Sequence, residues 1–185
     1  MDQGTDCYRR YLHGEENAFD EIMQEYFLGL VYFVNRYLRD VAAAEDVAMD
    51  VFADLIVHRH RYNFRSSLKT YLYMRGRSRA LNVLKQRSRM SRLDDLSPDD
   101  APRAEDAELL EAVLTDERKR TLHAALEKLP EGMREAVQLV LIQGLTYDQA
   151  GAVMKKNAKQ VDNLLYRAKK ELREILNEED ASCGN

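Results

Sequence analysis

The chain has 185 residues, of which 45% are hydrophobic and 32% charged, with a formal net charge of −4. Eight glycines and three prolines are too few for a turn-rich β protein, and the apolar runs are far shorter than a membrane span. Cys7 and Cys183 sit near opposite ends, and His13, His58, His60 and His123 show no ligand spacing, so neither a disulfide framework nor a metal centre is expected.

These limits predict a soluble globular, cytoplasmic protein of one large or two small domains, with no membrane insertion, and the reading along the chain makes it all-α. Met1 to Asn17 reads as a polar lead carrying a weak helix around Tyr8–Leu12. Ala18–Leu38 is a strong amphipathic helix, with Phe19, Ile22, Tyr26, Leu30, Phe33 and Val34 in a wide apolar stripe that Asp40 ends. A second helix is predicted from about Ala42 to His60, with Val47, Val51, Phe52, Leu55 and Ile56 inward. Its other side shows Asp46, Met49, Asp50 and Asp54, which solvation alone would explain.

Arg61–Ser66 is a loop combining aromatic, amide and arginine side chains. Ser66 or Ser67 caps a third helix that reaches about Arg89. Leu72, Gly76, Ala80, Val83 and Leu84 form its packing side. Tyr71, Arg75, Ser78, Asn82, Lys85 and Arg89 recur at steps of three and four on the other side. Aromatic faces stack on bases, and Arg and Lys pair with phosphates, so this stripe suits a strand of DNA. A solvated helix would mix in acids for i,i+4 pairing. From His58 to Arg92 there are eleven Lys or Arg and no acid, whereas Asp94 to Glu117 holds ten Asp or Glu and one Arg.

The acidic block, with Pro98 and Pro102, reads as a flexible linker that turns helical around Glu105–Leu114. Arg118–Lys128 is a further helix ended by Leu129-Pro130, and Glu131–Gln143 another, with Met133, Val137, Val140 and Leu141 inward, stopped by Gly144. Thr146 and Gln149 then form a capping box, which Asn157 and Gln160 repeat, so two short helices flank a tight polar turn. Val161, Leu165, Ala168 and Leu172 share one face of the second helix. Lys159, Gln160, Asp162, Asn163, Tyr166, Arg167 and Lys170 are exposed on the other. This is the pattern of a helix-turn-helix with a recognition helix for the major groove. Asn177–Asn185 is a polar tail.

Two small helical domains, each with a base-competent helix and joined by an acidic tether, resemble a bacterial RNA polymerase sigma factor. The family is sigma-70, and the resemblance is to its compact extracytoplasmic-function class. It rests on AFDEIMQEY, AEDVAMDVFADL and FRSSLKTYLYMRGRSRALNVLKQR in the first half. In the second half it rests on LEKLPEGMREAVQLVLIQGLTYDQAGAVM and VDNLLYRAKKEL. The resemblance implies a region 2-like domain at 1–90 that binds core RNA polymerase and the −10 element. A linker at 91–116, a region 4-like domain at 117–177 for the −35 element and a tail at 178–185 complete the expected chain. It also implies promoter DNA and an anti-sigma factor as partners, no metal or small cofactor, and no catalysis by this chain.

Carried onto these residues, the resemblance makes Asp46, Met49 and Asp50 the contact with the polymerase clamp, Met49 standing where glutamine is usual. Tyr62, Asn63, Phe64 and Arg65 become the loop that captures an extruded base. Tyr71 stands where the family has tryptophan. Asp162 and Asn163 depart from the usual Lys or Arg followed by Ser. Aspartate accepts from cytosine N4 and asparagine pairs with adenine, so a −35 sequence unlike the commonest one of the class is expected. Lys155 replaces the glycine usual in the turn, which predicts a turn without a left-handed residue there. Charge segregation also suggests that the acidic linker keeps DNA off the basic helix until polymerase separates the domains.

Two other readings use fewer of these features. A stand-alone helix-turn-helix regulator leaves the basic helix and the clamp-like face idle. A nuclease would need Asp46, Asp50 and Asp54 as a metal cluster, but they form one row along a helix with no His partner.

Overall fold

The structure is a computed structural model and describes residues 3–93 and 124–183. Contacts divide the chain into two compact units, Met1–Asp106 and Ala107–Asn185. Among the described residues every regular element is helical. The predicted linker from Asp94 onward, its Glu105–Leu114 helix and the start of the Arg118–Lys128 helix lie outside the described residues.

The first unit contains α1 (Gln3–Leu12), α2 (Asn17–Leu38), α3 (Val41–Val57) and α4 (Leu68–Leu93). Phe19, Ile22, Tyr26, Leu30, Phe33 and Val34 of α2 are buried as the stripe predicts. Each such side chain contributes roughly 1.5–3 kcal/mol through burial. Arg39 ends α2 in the left-handed region at φ 50°, and Asp40 begins α3 by accepting the Ala43 N–H at 3.0 Å. Helices α2 and α4 meet closely because Gly76 has no side chain. A Cβ there would lie 2.8 Å from Leu30 Cδ1.

Several expectations for this unit need correction. The N-terminal lead is not a weak helix: α1 is ten residues long and buries Thr5, Cys7, Tyr8 and Tyr11. Its tyrosines stack on the core, Tyr11 lying 5.0 Å from Phe19, and this long-range packing had no local signal. Helix α3 stops at Val57 rather than His60, and Ile56, expected inward, is exposed at its last turn. Helix α4 runs past Arg89 to Leu93. Its buried face also includes Tyr73, whose ring lies 5.0 Å from Phe33. Val83 and Leu84 are only half-buried.

The second unit comprises a helical stretch at 124–128, α5 (Glu131–Val137), α6 (Tyr147–Met154) and α7 (Ala158–Cys183). Helix α5 continues as a π turn over Gln138–Ile142, in which the Gln143 N–H reaches back five residues to Gln138 O. A π turn is wider than an α turn and shifts the register of everything after it. Hence Leu139 is buried while Leu141, expected inward, is 52% exposed. Gly144 ends the segment at φ 69°, where glycine is unstrained. Helix α7 continues to Cys183, into the predicted polar tail.

A candidate nucleic-acid interface

Asp54 organises the side of the first unit that carries the predicted DNA stripe and loop. Its carboxylate, 8% exposed, accepts from Arg61 Nη1 at 2.8 Å and from Arg75 Nη2 at 2.8 Å. His58 Nδ1 lies 2.9 Å away on the same helix, and Arg79 reaches to 4.0 Å. Burial alone would push this carboxyl up, and it is the largest single influence. Together the Arg75 and Arg61 contacts outweigh it and hold the group below its ordinary value. The cluster ties three pieces together: the end of α3, the loop that follows and the middle of α4.

The absence of acids from α4 therefore does not leave Arg75, Arg79 and Arg87 unpaired. Arg79 donates to Asp50 at 2.9 Å and Arg87 to Asp40 at 2.8 Å. The compensating charges come from α3 and its N-cap rather than from i,i+4 neighbours. A reading confined to one helix could not see them. Of the predicted stripe, Arg75 is committed to Asp54 and Tyr71 is half-buried against Tyr62, with centroids 5.1 Å apart. Burial raises the Tyr71 hydroxyl pKa. Ser78, Asn82, Lys85 and Arg89 are exposed along the outer face.

The 62–65 loop divides sharply. Tyr62 is 2% exposed, so it cannot stack on a base; it forms the floor under the loop. Asn63, Phe64 and Arg65 are exposed. Asn63 Oδ1 accepts the Arg65 N–H at 3.2 Å, closing a tight turn. Phe64 sits at φ 60°, a conformation disfavoured for a side chain of this size. Its ring is held 4.7 Å from Tyr62 and 5.2 Å from the Arg9 guanidinium.

On α3, Asp46 and Asp50 are exposed and flank Met49, which is 52% exposed. This is an apolar knob between two carboxylates, one of them already paired with Arg79. Asp54 is not the solvated neighbour of that row. With Asp54 covered by arginines, the three aspartates do not converge. Among the described residues no group of His, Cys, Asp and Glu side chains is placed to hold a metal ion.

The helix-turn-helix geometry lies in α6 and α7. The Thr146–Gln149 capping box is reciprocal, at 2.8 and 3.3 Å. Asn157 and Gln160 repeat it, at 3.0 and 2.8 Å. Between them Lys155 adopts φ 57° and ψ 45°. The left-handed turn is thus retained without glycine, which corrects the expectation for this residue. The glycine that the turn does require is Gly151, because a Cβ there would lie 2.5 Å from the Lys156 carbonyl oxygen. Val161, Leu165, Ala168 and Leu172 are buried as predicted. Lys159, Gln160, Asp162, Asn163, Tyr166, Arg167 and Lys170 are all exposed, Tyr166 at 74%. Leu164 is half-buried beside Gly132 and is not presented with them.

Sequence reasoning missed three contributors: Asp54 as a hub, Arg79 as a bridging cation, and α1 beneath the loop. Only the i, i+4, i+8 row hinted at the first.

A capped helix-turn-helix with a bare polar face, on the same chain as an arginine-rich helix beside a strained aromatic loop, is the architecture of a helical DNA-binding protein. Residues 24–90 match the family described as Sigma-70 region 2, and residues 119–172 that described as Sigma-70, region 4. The chain is 30% identical over 191 residues to the RNA polymerase sigma-H factor of Pseudomonas aeruginosa, covering 95% of each chain. It is 26% identical to the ECF RNA polymerase sigma factor SigM of Bacillus subtilis over 86% of this chain and 96% of that one. The fold is shared with CnrH, solved with the cytosolic domain of CnrY (TM-score 0.67, 19% identity, 96% and 99% of the two chains). It is shared too with the sigma factor RpoE of Bartonella quintana, solved with the anti-sigma factor NepR (0.66, 19%, 86% and 96%). The chain belongs to the sigma-70 family of RNA polymerase sigma factors, in its extracytoplasmic-function class.

Proposed function

We propose that this transcription initiation factor binds core RNA polymerase and sets promoter choice through both units, the first at the −10 element and the second at the −35 element. The observation that carries this reading is the pairing of two different DNA-competent faces on one chain, matching regions 2 and 4 in order. Asp46, Met49 and Asp50 supply the polymerase contact: an apolar side chain seated between carboxylates, suited to a mixed apolar and basic surface. Asn63, Phe64 and Arg65 receive the extruded base, with Phe64 as the stacking surface and Tyr62 as its support. Ser78, Asn82, Lys85 and Arg89 follow the strand, and Tyr71 and Arg75 shape the approach to it.

At the −35 element Asp162 and Asn163 face the base edges, and Lys159, Gln160, Tyr166, Arg167 and Lys170 surround them with phosphate and sugar contacts. The chain performs no chemistry of its own; bond formation belongs to the polymerase. It acts in the cytoplasm, and no described helix is long and apolar enough to cross a membrane. Two relatives of the same fold were solved with anti-sigma factors or a cytosolic partner domain, which supports a comparable inhibitor here.

Run-off transcription with core polymerase over a randomised promoter library tests the reading. The expected result is factor-dependent transcripts enriched in two separated sequence blocks. A chain that binds DNA but neither associates with core polymerase nor stimulates it is instead a stand-alone regulator.

A further inference from the structure

Helix α1 precedes the region matched to Sigma-70 region 2, yet it supplies the groups that close the 62–68 loop. Tyr62 Oη donates to the Ser66 carbonyl at 2.7 Å. A phenol has one proton, so in the 2.9 Å contact between the two hydroxyls Thr5 is the donor and Tyr62 the acceptor. Thr5 Oγ1 in turn accepts the Leu68 N–H at 3.2 Å. The result is a directed chain from Leu68 N–H through Thr5 and Tyr62 to the Ser66 carbonyl. It joins the start of α4 to the loop through one hydroxyl of α1.

The next turns of α1 hold the remaining sides. Tyr8 Oη reaches the carbonyls of Leu55 and Arg59, each at 3.0 Å, at the exit from α3. Burial, the main cause, raises that hydroxyl pKa to about 12, so it remains a donor at all physiological pH. Arg9 covers one side of the Phe64 ring at 5.2 Å. Phe64 is the residue whose backbone is strained, and such strain persists only where surrounding contacts impose it. Those contacts run through Tyr62, Tyr8 and Arg9, and two of the three residues lie in α1.

We propose that α1 is a specificity element for the −10 sequence, with Thr5 as a positioning residue. It touches no DNA, and it sets the discrimination among bases by holding Tyr62 and thereby Phe64 in the capture conformation. The proposal rests on the base-capture reading of the 62–65 loop.

The test is initiation by holoenzyme on a promoter library randomised over the −10 element, comparing the parent with Thr5→Val, Thr5→Ser, Leu38→Ala and Asn63→Ala. Valine keeps the shape of threonine and removes its hydroxyl, whereas serine keeps the hydroxyl. Thr5→Val is expected to reduce the preference at the captured position about fivefold, the factor corresponding to one net hydrogen bond. Its affinity for core polymerase and its −35 preference should stay unchanged, and Thr5→Ser should retain the parental preference. Leu38→Ala removes a buried side chain from the last turn of α2, at the opposite end of that helix from Phe19 and Tyr26, which meet α1. It should lower the melting temperature without altering base preference.

An unchanged preference in Thr5→Val overturns the proposal when Asn63→Ala does alter it. The same flattening in Leu38→Ala also overturns it, because general loosening of the unit would then be the cause. If Asn63→Ala leaves every −10 preference intact, the base-capture reading itself falls, and the proposal falls with it.

Discussion

The two surfaces proposed to meet DNA are organised by different means. In the first unit the side chains themselves are tethered: Arg61, Arg75 and Arg79 converge on Asp54 and Asp50, and Tyr62 is held from both sides. In the second unit the backbone is specified, by two reciprocal capping boxes and a left-handed turn, while Asp162, Asn163, Tyr166 and Arg167 extend from α7 into solvent. The difference fits the proposed targets. An intact duplex presents its base edges at regular positions, so a correctly placed helix can read it with side chains that settle on contact. An extruded base must be received by a pocket that already exists, or its binding would have to order that pocket as well as unstack the base.

The comparison breaks most readily at Asp54. Replacing it with alanine leaves Arg61 and Arg75 facing one another without their shared carboxylate. The first unit should lose about 3 kcal/mol, a value at the low end for a buried pair because the arginines remain partly exposed. Denaturant unfolding followed by hydrogen exchange should place the loss in residues 3–93 and spare the second unit. Acid should mimic the substitution. The carboxyl is held below the 3.8 of the free side chain, so its contribution is complete above that pH and disappears as pH falls below it. Equal acid loosening of both units would remove Asp54 as the cause.

For the second unit the corresponding weak point is backbone, at Gly151. A methyl group there meets the Lys156 carbonyl at 2.5 Å, so the turn must open. Gly151→Ala should cost about 2 kcal/mol and misplace α7, lowering −35 binding while −10 preference on a −35-independent template persists. By contrast, Asn163→Ala should leave stability within about 0.5 kcal/mol of the parent, since the side chain is exposed. It should relax discrimination at one −35 position by about 1–2 kcal/mol, measured as relative affinity across single-base promoter variants. Destabilisation by Asn163→Ala would mean that α7 is not the bare surface its exposure implies.

The same contrast explains what the sequence made legible. Caps, turns and helical faces are local patterns, so Thr146–Gln149, Asn157–Gln160 and the buried Val161, Leu165, Ala168 and Leu172 could be read in advance. The hub at Asp54 joins residues 7 and 21 positions away, and Thr5 meets Tyr62 across 57, and no local pattern encodes such meetings. The aromatic loop was recognised, but Tyr62 and Phe64 were indistinguishable in it. Only packing assigns one to the floor and the other to the surface. The π turn was missed for a further reason: its departure from helical periodicity lies in the backbone, and an apolar run such as Gln138–Ile142 allows more than one register.

Lys155 gives the smallest effect and the finest test of the contrast. At φ 57° it occupies a conformation that glycine adopts freely and that other residues adopt at a cost of roughly 1–2 kcal/mol. Glycine also has more freedom to lose on folding, which offsets part of the relief. Lys155→Gly should therefore stabilise the second unit by about 0.5–1 kcal/mol, read as a rise in its denaturation midpoint. Its −35 preference should not change, because Thr146, Asn157 and the close approach at Gly151 set where α7 begins. A gain in stability accompanied by a changed preference would show that the strained turn, and not the caps, positions the reading face. The second unit would then depend on held strain as the 62–65 loop does at Phe64, and the two surfaces would be organised alike.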